Sequence, residues 1–329
     1  INIKRSSLCG RNFEYMSEDP YLAGEMAVPL IEGIQKADVA ACVKHFALNN
    51  QECDRLSVDT KVDNKTLFEL YLPAFYDALM EGGSYSVMGA YNKYDGEFCC
   101  ENATLLKKIL RDLWHYDGVT ISDWGGVHNT EKTALNGVDM EMSVTPDFDD
   151  YKLANPLLEK VKSGKIDESV IDERIERILT MMERIKLGDK TRNKGCTNTK
   201  DHQQTIQQIA EEGIVLLKND TAHLPLSKET KKILVLGDNA KRTHAAGGGS
   251  AEIKALYDIS PLLGMRMVLG GDTQIDWLPS YYVDNEKHVA GEVDWQAESL
   301  DVDYTTNRGK EQFDKEIRPI REKYLKEAL

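Results

Sequence analysis

From Glu25 to Met142 the apolar positions alternate between helical spacing and short continuous runs. "EMAVPLIEGIQKAD", "NKTLFELYLPAFYDALME" and "NATLLKKILRDLWHY" read as helices; "VAACVKHFAL", "YSVMGAYN", "GVTISDW" and "GVDMEM" read as buried strands. In the third helix Leu106, Ile109, Leu110 and Leu113 recur at three- and four-residue spacing, which predicts one apolar face, and Asn102 stands where an N-cap is expected. Strands alternating with helices predict repeated βα units and a parallel sheet, closed as a barrel or open and doubly wound.

Residues 166–188, "IDESVIDERIERILTMMERIKLG", predict a further periodic helix closed by Gly188, and the polar, turn-rich "DKTRNKGCTNTKD" after it predicts a linker. Beyond it "TIQQIAEEGIVLLKND" reads as a helix and "LPLSKETKKILVLGDNA" as a strand, Ile233 to Leu236, ending at Gly237. The expected organisation is therefore a first α/β domain over 1–188, a linker and lead-in helix over 189–230, and a second α/β domain over 231–329. A length of 329 residues suits two domains. The opening "INIKRSSLCGRNF" has no initiator Met and no strand or helix leading into it. The closing helix "EQFDKEIRPIREKYLKEAL" has no cap glycine or following strand, so both ends are expected to continue in a longer protein.

Composition narrows the function classes. With 41% hydrophobic and 29% charged residues the chain is that of an ordered globular protein. A formal net charge of −14 argues against a nucleic-acid partner, because affinity for phosphates comes from Lys and Arg. No apolar run approaches the ~18 residues of a membrane span. The six cysteines form no CxxC pair and have no histidine at metal-ligand spacing, so buried free thiols are expected and neither metal nor cofactor is implied. There is no GxSxG and no HExxH, which disfavours serine and zinc hydrolysis. The glycine loop "AAGGGSAE", residues 245–252, lacks the Lys-Ser/Thr of a phosphate loop, leaving a nucleotide-dependent enzyme as the weakest of the readings.

Polar residues at the C-terminal ends of parallel strands line the sites of such folds. Lys44 and His45 in "CVKHF", Met88 and Tyr91 in "VMGAYN", and Asp123 and Trp124 in "ISDW" hold such positions. Singly, each has a structural explanation: a solvated edge, a core filler, an N-cap. Three strand ends of this kind in one repeated unit point instead to a site. Asp123 beside the cations Lys44, His45, Arg11 and Arg55 is expected to be held ionised, which suits nucleophilic attack on a sugar with Trp124 facing the ring.

"GRNFEYMSEDPYLAGE", "VKHFALNNQECDR", "SVMGAYNKYDG", "GVTISDWGGVH", "ALNGVDMEM", "EEGIVLLKND" with "LPL", and "AAGGGSAE" resemble, in order, the successive blocks of glycoside hydrolase family 3, from about residue 8 to residue 265. The resemblance implies an α/β chain with a (β/α)8 TIM-like barrel, incomplete at its N-terminus, followed by part of an α/β/α sandwich domain. It also implies a retaining exo-glycosidase that removes terminal β-D-glucosyl residues from oligosaccharides or aryl and alkyl glucosides. Asp123 matches the nucleophile, Arg11, Lys44, His45, Arg55 and Tyr91 the residues that hold sugar hydroxyls, Met88 and Trp124 the apolar walls, and Ser250 a loop of the sandwich domain. The acid/base glutamate is expected beyond Leu329, Glu252 being aligned with a binding loop. A β-xylosidase of the same family, or a fragment inactive for want of the acid/base, are the alternatives. The implied partner is a small β-glucoside or cello-oligosaccharide, with no nucleic acid and no membrane; homo-oligomerisation stays open.

Overall fold

The computed structural model describes residues 1–192, 194–227, 229–241, 253, 255–278, 315 and 318–328. The chain divides into two compact units, Ile1–Lys194 and Gly195–Leu329.

The first unit is organised on three parallel strands, β1 (Cys42–Phe46), β3 (Ser86–Gly89) and β6 (Val119–Ile121), hydrogen-bonded in the order β1-β3-β6. Val87 is in register with Val43 on one side and Thr120 on the other. Parallel neighbours require crossovers. One is the helical stretch Asn64–Thr66, Leu67–Tyr71, Pro73–Tyr76 and Asp77–Glu81; the other is Thr104–Leu113. Two crossovers onto one parallel sheet bear out the predicted βα units. The connections that leave β1 and β3 are themselves joined: β2 (Asp59–Thr60) pairs in parallel with β4 (Lys93–Tyr94), which pairs with β5 (Glu97–Phe98). This small sheet ties together the two loops that follow the strand ends.

The helix Pro20–Lys36 starts earlier than the pattern predicts, because Asp19 accepts from the Tyr21 N–H at 3.0 Å and Pro20 takes the first turn, where its missing N–H costs nothing. Asn102 caps as expected, accepting from the Leu105 N–H at 3.0 Å. The buried face of that helix differs from the prediction. Leu113 is 58% exposed, whereas Leu105 and Trp114 join Leu106, Ile109 and Leu110 inside. Thr104–Leu113 is wound as a π-helix, and the wider i→i+5 spacing shifts the inner face by one residue. Trp114 and Phe75 both meet the ring of Phe46 edge-on, at 5.9 and 5.2 Å between centroids, and anchor the core where the helices cover β1.

"GVDMEM" does not form a full strand. Its contact with the sheet is one parallel bridge, Ile121 to Met140. The N–H of Thr120 donates to the Asp139 carboxylate at 2.7 Å, not to a backbone carbonyl, and that side chain interrupts the ladder.

In the second unit β7 (Lys232–Leu236) pairs in parallel with β8 (Gln274–Leu278), confirming a strand at Ile233–Leu236. The predicted helix over "TIQQIAEEGIVLLKND" is Lys200–Gly213; it ends at the glycine, before the β-branched Ile214 and Val215, both poor helix formers. Residues Arg318–Ala328 are helical. All six cysteines are free, and Cys9, Cys99 and Cys100 are buried as expected, but Cys42, Cys53 and Cys196 are exposed.

Candidate active site

The sequence-predicted residues of the first unit converge on the C-terminal ends of β1, β3 and β6. Asp123 follows β6 by two residues and is buried. Its Oδ1 accepts from the Trp124 backbone N–H at 2.8 Å, and its Oδ2 lies 3.5 Å from Nε2 of His45, which sits in β1. The Tyr91 hydroxyl, two residues past β3, hydrogen-bonds the same carboxylate, and Arg11 and Lys44 act on it through their charge. Arg55 stands over the Tyr91 ring, 5.3 Å from its centroid. Met88 is opposite Ile121 at the last paired position of β3 and β6, and Trp124 is 42% exposed beside the carboxylate. Ser250, like Glu252, lies outside the described residues.

The electrostatics differ from the expectation in two respects. Burial pushes the Asp123 carboxyl above the usual range, outweighing the Trp124 N–H, Arg11, Tyr91 and Lys44, all of which favour its anion. The expected cationic His45 is a neutral imidazole. Burial, then Arg11, Lys44 and Arg55 among its positive neighbours, hold its pKa well below the ordinary histidine value. His45 is fully buried and, being neutral, lies beside the carboxylate without acting as a counter-ion. Desolvation wins in both cases because these groups sit on the wall of a core.

Residues that motif reading missed hold this set in place. Glu14 pairs with Arg11 and reaches the Lys44 ammonium at 3.5 Å; Glu52 pairs with Arg55. Burial works against the charge of Arg11, but the hydrogen bond and charge of Glu14 outweigh it and its pKa rises. Asn2 brackets the backbone of His45, donating to its carbonyl and accepting from its N–H, each at 2.9 Å. The signal for Glu14 and Glu52 was present as the acid-base spacing of "RNFE" and "ECDR". Nothing local marks Asn2, whose partner is 43 residues away.

A sequence profile of the glycosyl hydrolase family 3 N terminal domain matches residues 1–181, and that of the family's C-terminal domain matches 214–319. The chain belongs to glycosyl hydrolase family 3. Among curated family relatives, a β-glucosidase of Bacteroides ovatus is 44% identical over 285 residues, 82% of this chain and 38% of that protein. An exo-α-(1→6)-L-arabinopyranosidase of Bifidobacterium longum is 36% identical over 261 residues, covering 77% and 34%. The structure of a Kluyveromyces marxianus β-glucosidase in complex with glucose superposes with a TM-score of 0.76 at 35% identity, over 86% of this chain and 35% of that one. The chain thus spans under two fifths of the length of these relatives. Its first unit has the family's TIM-like (β/α) barrel architecture and its second the α/β sandwich. Every candidate site residue described above lies within the match to the family 3 N terminal domain.

Proposed function

We propose that this chain carries the nucleophile half of a retaining β-glucosidase site, with Asp123 attacking the anomeric carbon of a terminal β-D-glucosyl residue. The observation that carries the reading is the unpaired Oδ2 of Asp123, a buried carboxylate oxygen with no hydrogen-bond partner at a strand's C-terminal end. A carboxylate kept partly desolvated is more nucleophilic than a fully hydrogen-bonded one, and a nucleophile needs one lone pair free for the incoming carbon. The Trp124 N–H holds Oδ1, and the Tyr91 hydroxyl bonds the carboxylate. Arg11, Lys44, His45 and Arg55 supply donors for sugar hydroxyls; Trp124 and Met88 supply an apolar wall.

The sugar would transfer to Asp123 as the aglycone oxygen leaves with a proton from a second carboxylic acid; that group, about 5–5.5 Å away in retaining enzymes, then activates water to release glucose. Glu14 and Glu52 are committed to Arg11, Lys44 and Arg55, so the acid/base is assigned outside the described residues.

The test uses the full-length protein with an aryl β-glucoside. Asp123→Ala is expected to lower kcat by on the order of 10⁴-fold or more, as loss of a nucleophile does elsewhere. A 2-deoxy-2-fluoroglucoside should leave a covalent adduct on the peptide that contains Asp123. Wild-type turnover by the alanine variant, or an adduct on another residue, sinks the reading.

A further inference from the structure

Cys100, Glu101 and Asn102 follow β5 in a short turn and are all buried, yet no sugar-binding role explains them. Each bonds a different piece of backbone. The Cys100 sulfur lies 3.6 Å from the carbonyl of Ala90, the residue before Tyr91, and hydrogen-bonds the backbone of Asp123 itself. Asn102 donates to the Tyr94 carbonyl at 2.8 Å. Glu101 uses one oxygen, Oε1, to accept from the N–H groups of both His128, at 2.6 Å, and Asn129. Its own carbonyl accepts from the Asn136 amide at 2.6 Å.

The segment between Asp123 and Asn129 is Trp124-Gly125-Gly126-Val127-His128. Two glycines make it pliable, since each relaxes the backbone restriction that a side chain would impose, and Gly125 has a φ of +70°. Its start is fixed through Cys100 and its end through Glu101, adjacent residues of one buried turn. The fit leaves no slack: a Cβ on Gly126 would stand 3.2 Å from the Asp123 carbonyl oxygen and 3.4 Å from the Cys100 sulfur, and one on Gly89 would collide with that sulfur at 2.5 Å.

We propose that Glu101 is a positioning residue for the nucleophile, clamping the Trp124–Asn129 loop so that the Asp123 carboxylate keeps its place relative to Tyr91 and His45. The inference rests on the reading of Asp123 as nucleophile. Glu101 touches neither sugar nor carboxylate; it acts through two backbone N–H groups. The hydroxyl-binding groups Arg11, Lys44 and Arg55 are held by Glu14 and Glu52, and of the sugar-binding set only the Trp124 wall belongs to the clamped loop, so losing the clamp should slow chemistry far more than it loosens sugar binding.

In the full-length protein, Glu101→Ala is expected to lower kcat on an aryl β-glucoside by about 10²-fold, the cost of a ~1 Å misplacement, while KM and the inhibition constant of glucose stay within about threefold. Glu101→Gln keeps an oxygen at the Oε1 position and should recover most of the rate. If the alanine variant does not fold, Glu101→Asp, whose carboxylate is withdrawn by one methylene, carries the same expected loss. Three results overturn the proposal: wild-type kcat in both Glu101→Ala and Glu101→Asp, glucose affinity falling in step with kcat, or a glutamine variant as impaired as alanine. Asp123→Ala separates the two levels. If it is inactive while Glu101→Ala is unaffected, only the clamp is wrong; if it is active, the nucleophile assignment fails first.

Discussion

Two buried aspartates flank β6, and the structure treats them in opposite ways. Asp139 receives Arg111 Nη2 and Arg177 Nε, both at 2.9 Å, and the Thr120 N–H at 2.7 Å, with Arg174 adding charge nearby. Arg111 extends the network to the carbonyls of Tyr116 and Gly118, at 2.6 and 2.8 Å, and so stitches the start of β6 to the bridge at Met140. At the other end of the strand Asp123 has one backbone donor, one tyrosine and an oxygen with no hydrogen bond. The two residues are equally buried, each 6% exposed. A carboxylate that holds a fold is saturated with donors, whereas one proposed to do chemistry is left incomplete, and stability is given up for reactivity.

Three measurements can break or sharpen that contrast. The largest effect belongs to the saturated site. Asp139→Ala leaves Arg111 and Arg177 buried without their partner and should cost about 3–5 kcal/mol, enough to prevent soluble expression or to lower Tm by about 10 °C or more. A variant with unchanged Tm would show that the network is not structural.

At the incomplete site the sign reverses. The raised pKa of Asp123 means that its ionised form is destabilised by folding, so Asp123→Asn should raise Tm at pH 7, by about 2–4 °C for each kcal/mol recovered. The same variant should have lost turnover. A lower Tm would mean that the carboxylate is stabilising after all.

The smallest effect is in the pH dependence of stability. His45 is held neutral in the fold, so below its unfolded pKa of about 6.5 the unfolded chain binds a proton that the folded chain does not. Stability should therefore fall as pH drops from 6.5 toward 5, by at most about 1.4 kcal/mol per pH unit from this group. His45→Gln should flatten that slope in a calorimetric pH series. Asp123 contributes with the opposite sign, since its raised pKa lets the folded state bind the extra proton. An unchanged slope in the glutamine variant would place the titration elsewhere.

Much of the candidate site was legible in linear order because strand-end residues sit inside short motifs: "VKHF", "GAYN" and "ISDW" each carry their candidate side chains within a few positions of a buried run. Such motifs are local, and so is the acid-base spacing of Glu14 with Arg11 and Glu52 with Arg55. The inner face of Thr104–Leu113 was misread by one position because a 3.6-residue period was assumed for a helix wound more widely. Glu101 was invisible because its partners are 27 and 28 residues away and are backbone groups, which have no signature in a sequence.

The amino-acid order by itself determined the alternation of strands and helices, the family, and the identity of the strand-end residues, because periodicity and motif spacing depend only on near neighbours along the chain. The directions in which the pKa values at the candidate site shift were decided by the tertiary structure alone. A list of residues places cations around Asp123 and suggests an ordinary anion and a protonated His45. Folding removes water from both groups, and the desolvation that results outweighs those charges. Saturation is equally a property of the fold: Asp139 is completed by Arg111 and Arg177, 28 and 38 positions away, and Asp123 is not. Which aspartate is saturated with donors and which keeps an oxygen without a hydrogen bond depends on donors that only the folded chain brings within reach.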